Sequence, residues 1–215
     1  GRHLLTLIDE VLDLARVEAG HLTVSPEPVA LRALAEDCLT LVRPAAAVRD
    51  VQLLEPSPLC AVHVRADRTR LKQVLLNLLS NAVKYNRPHG TVGITCHPEP
   101  DTTPPMLRIR VDDTGPGLDE AQQQRLFVPF ERLDAEARQI QGTGIGLALS
   151  KRLVELMGGQ IGIDRPLDVL RVGLARTHGL LSARARQDAR CWADRAGICA
   201  GPRRDVRYRP GLGRA

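Results

Sequence analysis

At 215 residues the chain is long enough to bury a full core as one domain with an appendage, and no run of eighteen apolar residues marks a membrane span. Its net charge of +5 suggests a nucleic-acid binder until the charge is located: residues 1–164 carry 18 Lys and Arg against 21 Asp and Glu, and residues 165–215 carry 12 Arg against 4 Asp. The basicity belongs to the tail, where only Trp192 and Tyr208 could stack on bases, so nucleic-acid binding is excluded as the leading reading.

Cys38, Cys60, Cys96, Cys191 and Cys199 are odd in number and widely spaced, with no C-x-x-C pair, and are expected to be reduced thiols. The opening residues lack the pattern of a signal peptide, so the expected location is cytoplasmic, including the cytoplasmic part of a membrane-anchored parent.

Residues 3–19 read as a helix with Leu5, Ile8, Leu12 and Ala15 at coiled-coil spacing and Leu4, Leu7, Val11 and Leu14 on a second seam. So wide an apolar arc suits a bundle, and Gly20 ends it. Pro26 and Pro28 confine the next segment to an edge strand. Residues 31–48 form a second amphipathic helix through Leu31, Leu34, Ala35, Cys38, Leu39 and Val42, which Pro44 is expected to kink or interrupt. Short strands at 51–54 and 60–65 flank the Pro56 and Pro58 turn, and Asp67 is a good N-cap for the next helix.

The helix after Asp67 carries LLNLLSNAVKYN, residues 75–86. Leu71, Val74, Leu75, Leu78 and Ala82 share one flank, and Asn77, Asn81 and Lys84 share a neighbouring one. The asparagines stand one turn apart, about 6 Å, and offer amide oxygens that suit a hard cation. Lys84 adds a point charge and Tyr85 a ring, a set fitting a magnesium-bound nucleotide; on this segment alone a solvated amphipathic helix fits equally well.

Strands at 91–97 and 107–112 follow, joined by the proline-rich loop 98–105, and predict an antiparallel hairpin with a floppy tip. In DDTGPGL, residues 112–118, Gly115 and Gly117 let a flat ligand approach the backbone, and Asp113 at the strand's end could accept a hydrogen bond from an exocyclic amine. A plain turn after a strand looks the same. FVPFERLD, residues 127–134, concentrates Phe127 and Phe130 beside Arg132 in a chain with few aromatics. GTGIGLALSKRLVELMGG, residues 142–159, feeds a glycine-rich turn into a helix whose exposed amides suit phosphate. The Walker spacing is absent, and Asp134–Gln141 is too polar to be the strand that a dinucleotide fingerprint needs.

NLLSNAVKY, DDTGPGL, FVPFERL and GTGIGLALSKRLVELMGG, in this order, resemble the ATP-binding domain of sensor histidine kinases, part of the wider gyrase, Hsp90, histidine kinase and MutL group. The resemblance implies an α+β fold: a two-layer sandwich with a mixed sheet covered on one face by helices, preceded by one helix of a bundle. It covers about residues 22–163, while residues 1–20 resemble the second helix of the kinase dimerisation hairpin and residues 164–215 are read as an atypical Arg-rich tail, irregular except for a last strand at Val169–Ala175.

By this resemblance Asn81 ligates magnesium with Asn77 in support, Lys84 meets the phosphates, and Tyr85 the adenine. Asp113 bonds the adenine amine in a pocket lined by Gly115 and Gly117. Arg132 reaches the γ-phosphate from a lid that Phe127 and Phe130 anchor. Gly142, Thr143, Gly144 and Gly146 wrap the phosphates, with Leu147 against the base. The implied cofactors are ATP and Mg2+, and the implied partners are a phosphoacceptor histidine in a longer chain, a response-regulator receiver domain, and a second copy joined through residues 3–19. ATP-hydrolysing clamps of the group place a glutamate where this chain has Asn77, and an amide cannot take a proton from water; this favours a kinase over a hydrolase. A dimerising nucleotide-binding module without activity is the other alternative. His3, His21, His63, His89 and His97 stand outside any phosphoacceptor motif.

Overall fold

The computed structural model of the chain describes residues 2–99, 106–131, 142–164, 169–170 and 172–175, together with the side chains from residue 8 to 163 within these spans. The expected hairpin tip at 100–105, Arg132 and the tail beyond 175 therefore lie outside the described residues. The first helix is α1, Arg2–Glu18, and β1, Glu27–Ala30, runs directly into α2, Leu31–Val48. After β2, Gln52–Leu53, and a 3-10 turn at Pro58–Cys60, strand β3, His63–Ala66, leads into α3, Arg68–Lys84. Strands β4, Thr91–Glu99, and β5, Met106–Asp113, are followed by α4, Glu120–Arg125, and α5, Gly146–Leu156. Short strands β6, Ile163–Asp164, β7, Val169–Leu170, and β8, Val172–Ala175, complete the described chain.

A four-stranded mixed sheet, ordered β2-β4-β5-β8, forms one layer. Its centre is the expected hairpin, in register from Val92 opposite Asp113 to Glu99 opposite Met106. Strand β2 joins in parallel, and β8 pairs antiparallel with β5 from Met106 opposite Ala175 to Ile109 opposite Val172. The last strand expected in Val169–Ala175 is thus in the sheet at 172–175, while Val169 and Leu170 pair with β6 instead. Strand β1, which contains Pro28, is paired among the described residues with β3 alone.

Alternation decides which face of the sheet is covered. Leu107, Ile109 and Val111 on β5 are buried at every second position and meet the helical layer beside Val92, Ile94 and Cys96 of β4, a strand buried continuously from Val92 to Cys96. That layer supplies Leu34, Ala35 and Cys38 from α2, Leu71, Leu75 and Leu79 from α3, and Leu149 and Leu153 from α5. The helical period of each segment puts these residues on one face, so burial and local structure agree. Leu14 and Val17 of α1 join the same core, whereas Ile8, Val11 and Leu12 stay exposed.

Two expectations need correction. Cys60 and Cys96 are not free thiols: they form a disulfide, with Cα atoms 5.3 Å apart, tying the 3-10 turn to β4. Their separation of 36 positions hides the pairing from any reading by spacing; it arises because the Ser57 amide donates to the Ile94 carbonyl and lays the turn on the strand. Pro44 does not interrupt α2, which runs on to Val48. Pro44 and Thr40, whose carbonyl loses its helical partner, both lie on the exposed face, where water can serve that carbonyl.

The capping role expected of Asp67 holds. Its carboxylate accepts the Arg70 amide at 3.0 Å and, through its other oxygen, the Ser25 amide at 3.0 Å. Desolvation acts against its charge, but the amides of Arg70, Ser25 and Thr69 outweigh it and hold the carboxyl below the ordinary aspartate value. A depressed carboxyl stabilises the fold above its unfolded pKa, and that contribution is lost as pH falls through the folded value. Asp67→Ala is expected to cost about 1 kcal/mol at neutral pH in denaturant titrations, with the gap closing in acid. Cys38, fully buried between α2 and the core, has its thiol pushed up by desolvation to about 11. At pH 8 it is expected to resist an aromatic disulfide reagent in the native protein and to be labelled, by peptide mass, once the chain unfolds.

Candidate functional site

Helix α3 carries its polar flank to the point where α5 begins. A Cβ on Gly146 would stand 2.5 Å from Asn77 Oδ1, so the two helices approach closely there because Gly146 has no side chain. One turn further along α5, Ser150 Oγ accepts a hydrogen bond from Asn77 Nδ2 at 2.8 Å. Asn77 is therefore seated between Gly146 and Ser150, with its amide nitrogen committed. Its Oδ1 faces Asn81, whose Nδ2 lies 3.5 Å away. The two asparagines thus form one half-buried patch of amide groups, as their one-turn spacing predicts.

Lys84, on the last turn of α3, lies with Nζ 5.3 Å from the centroid of the Tyr85 ring. The same Nζ would be 2.7 Å from a Cβ on Gly142, so the glycine turn passes directly over the lysine. Tyr85 closes the helix, its amide donating to the Asn81 carbonyl at 2.9 Å.

The loop after β5 meets this end of α3. Asp113 Oδ1 accepts the Gly115 amide at 2.7 Å, which fixes the carboxylate at the strand's end. A Cβ on Gly115 would sit 3.0 Å from the Tyr85 carbonyl oxygen, and Gly117 has φ +75°, so both glycines are required by backbone geometry. Asn86, one residue beyond Tyr85, holds the same loop through Thr114 Oγ1, which donates to Asn86 Oδ1 at 3.2 Å.

The aromatic and glycine-rich segments are clasped by backbone. The Phe130 amide donates to the Gly144 carbonyl at 2.9 Å, and a Cβ on Gly144, which has φ +73°, would fall 2.9 Å from the Phe130 carbonyl carbon. Phe130 itself has φ +65°, a conformation that costs on the order of 1 kcal/mol or more for a side-chain-bearing residue and persists only where its surroundings impose it. The residue is 64% exposed, and its backbone ties it to the glycine turn. Phe127 lies half-buried under Lys151, whose Nζ is 5.5 Å from the ring centroid. Leu147 packs against the core.

Thr143 contacts an element that its motif does not suggest. Its Oγ1 donates to Glu10 on α1 at 2.6 Å and accepts the Ile145 amide at 3.3 Å. A turn away on α1, Asp13 pairs with Arg70 at 3.3 Å and accepts from Gln73 Nε2 at 3.2 Å. Helix α1 is thus seated on both α3 and the glycine turn by carboxylates, with Leu14 and Val17 beneath it.

Asn77, Asn81, Lys84, Tyr85, Asp113, Gly115, Gly142, Thr143, Gly144 and Gly146 accordingly converge along the second half of α3, at the end of β5 and where the glycine turn enters α5. Four participants went unnoticed in the sequence. Ser150 could have been found from its helical offset to Gly146; Glu10, Asn86 and Thr114 carry no local signal.

Comparison with known proteins agrees with this geometry. Residues 66–180 match the family model of histidine kinase-, DNA gyrase B- and HSP90-like ATPases. The circadian input-output histidine kinase CikA of Synechococcus elongatus is 44% identical over 167 residues, covering 76% of this chain and 22% of that protein. The sensor protein GacS of Pseudomonas syringae is 42% identical over 168 residues, 75% of this chain and 18% of its own length. The chain thus spans about a fifth of these relatives. Among solved structures, full-length ShkA in complex with AMPPNP superposes with a TM-score of 0.69 at 32% identity, over 84% of this chain and 38% of that one. The histidine kinase AdeS of Acinetobacter baumannii, at 22% identity and a TM-score of 0.66, shares the fold. With four motifs in order and their residues gathered at one place, the chain belongs to the family of histidine kinase-, DNA gyrase B- and HSP90-like ATPases, in the form that sensor histidine kinases carry.

Proposed function

We propose that this chain binds Mg-ATP between α3, the loop after β5 and the turn before α5, and presents the γ-phosphate to a histidine on a helix partnering α1. One observation carries the reading: Gly142 and Gly146 stand directly over Lys84 and Asn77, bringing a side-chain-free turn onto a flank of amides and one ammonium. The individual roles belong to the same reading. Lys84 and the amides of the turn face the phosphates, Thr143 and Gly144 shape the turn, Tyr85 and Leu147 flank the base, and Asp113, with Gly115 and Gly117, takes its exocyclic amine. Arg132, expected at the γ-phosphate, is part of the same proposal.

The donor set suits magnesium, since amide oxygens are hard ligands and Mg2+ binds through few protein groups with phosphates completing its shell. Asn81 would hold it, with Asn77 in support and oriented by Ser150. When bound, the ion neutralises charge on the phosphates during transfer. Asn77 carries no group able to take a proton from water, and its amide nitrogen is already bonded to Ser150, which supports transfer to a separate acceptor over hydrolysis.

Further parts of the reading concern the longer protein. Ile8, Val11 and Leu12 form an exposed apolar strip on α1, in keeping with dimerisation through residues 3–19, and a receiver domain would accept the phosphoryl group next. No helix among the described residues is long and apolar enough to cross a membrane, and we read the unit as cytoplasmic. We take residues 1–20 as hairpin helix, 22–163 as the nucleotide unit with β8 added to its sheet, and the remainder of 164–215 as a tail.

Calorimetric titration with Mg-ATP is expected to give saturable heat for the native chain and an affinity lower by on the order of tenfold for Asn81→Ala. No heat from the native chain, or identical binding by the variant, overturns the proposal; steady phosphate release by the chain alone would favour the hydrolase. Gly146→Ala forces a methyl group onto Asn77 and is expected to lower stability by about 1–3 kcal/mol and weaken Mg-ATP binding in the same titration.

A further inference from the structure

Beyond the residues placed against the nucleotide, one side chain joins two of the elements that form its site to the start of β4. Asn86 stands just past α3, and its carboxamide uses both ends. Nδ2 donates to the Thr91 carbonyl at 3.0 Å, while Oδ1 accepts the Arg87 amide at 2.9 Å and the Thr114 hydroxyl at 3.2 Å. Thr114 Oγ1 in turn accepts the Thr91 amide at 2.8 Å, and the Thr114 amide donates to the Thr91 carbonyl at 3.2 Å. The end of α3, the start of β4 and the loop after β5 therefore meet in one closed set of hydrogen bonds. The chain makes room for it: a Cβ on Gly90 would lie 2.2 Å from Asn86 Oδ1 and 2.7 Å from Thr114 Oγ1.

The position of Thr114 gives this set its consequence. Strand pairing ends with Asp113 opposite Val92, and one backbone bond, from the Thr114 amide to the Thr91 carbonyl, carries it a residue further; there the side chains of Asn86 and Thr114 join the loop to the end of α3. Thr114 lies between Asp113, whose carboxylate is bonded to the Gly115 amide, and Gly115, which packs on the Tyr85 carbonyl. Fixing Thr114 thereby sets the distance from the Asp113 carboxylate to Tyr85 and Lys84.

We propose that Asn86, acting through Thr114, is a positioning residue for base selection, holding Asp113 where an exocyclic amine meets it and a carbonyl oxygen is rejected. This rests on the ATP-binding reading above. A fixed carboxylate discriminates because a wrong base leaves it facing an acceptor; a loose one moves away and tolerates either. The hydrogen bonds of the Asn86 side chain go to Arg87, Thr91 and Thr114, none of them among the residues placed at the phosphates.

The test is calorimetry of the native chain, Asn86→Ala, Thr114→Val and the double variant with Mg-ATP, Mg-GTP and magnesium tripolyphosphate, with thermal unfolding recorded for each. The expected result is an ATP affinity lower by on the order of tenfold in Asn86→Ala, tripolyphosphate binding within about twofold of native, and a smaller ATP-to-GTP ratio. Thr114→Val should repeat this signature and the double variant should add little to either. Asn86→Asp, which keeps the acceptor for Thr114, should retain more selectivity than Asn86→Ala. Equal losses for all three ligands, or an unchanged ATP-to-GTP ratio in folded variants, overturn the proposal while leaving ATP binding intact. Should the native chain bind neither nucleotide, the ATP-binding reading fails first and this inference with it.

Discussion

The site depends on one close approach, that of α5 to α3 at Asn77. Two helices normally keep 8–10 Å between their axes because side chains intervene. Here Gly146 removes the side chain and Ser150, one turn on, supplies a hydrogen-bond acceptor for the amide that then comes into contact. The pairing fixes more than packing. It commits the nitrogen end of Asn77, so that its oxygen faces Asn81, and it sets the preceding glycine turn over Lys84. Apolar packing of Leu75, Leu79, Leu149 and Leu153 beneath gives the helices their general placement, and the polar contact selects one register among those such a core would accept.

The same arrangement joins the site to α1. Glu10 bonds to Thr143 in the middle of the glycine turn, and Asp13 bonds to two side chains on α3, while Leu14 and Val17 enter the shared core. The first helix is not simply tethered to the sheet domain: it contributes directly to the surroundings of the turn. Any displacement of α1 would have to break a charge-assisted hydrogen bond at a residue in the middle of the glycine turn, so the position of that helix and the shape of the turn are mechanically related.

Much of the architecture could be read in the chain because it is governed by short-range rules. Periodicity alone placed α2 at 31–48, and the Asp67 cap with the apolar flank of Leu71, Val74 and Leu75 placed α3. The β4–β5 hairpin followed from alternation and proline-rich punctuation. The motif glycines were legible as well, since their expense in a helix or turn has no packing explanation until something must approach the backbone. The Cys60–Cys96 disulfide and the persistence of α2 through Pro44 were not legible. The first depends on a turn folding back onto a strand 36 residues away, and the second on which face of the helix meets water.

By itself, the order of residues determined which groups the proposed nucleotide site has at its disposal and which helix or loop bears each of them. It also determined the absence of a carboxylate at Asn77, and with it the chemistry open to that position. Only the folded chain decided how these groups are held: Asn77 by Ser150, Thr143 by Glu10, Thr114 by Asn86, and the glycine turn by the backbone of Phe130. The reason is physical. A helix period or turn preference acts over a few residues and can be read locally, whereas each of these contacts joins residues 14 to 133 positions apart, and nothing short of the packed core brings them within hydrogen-bonding distance.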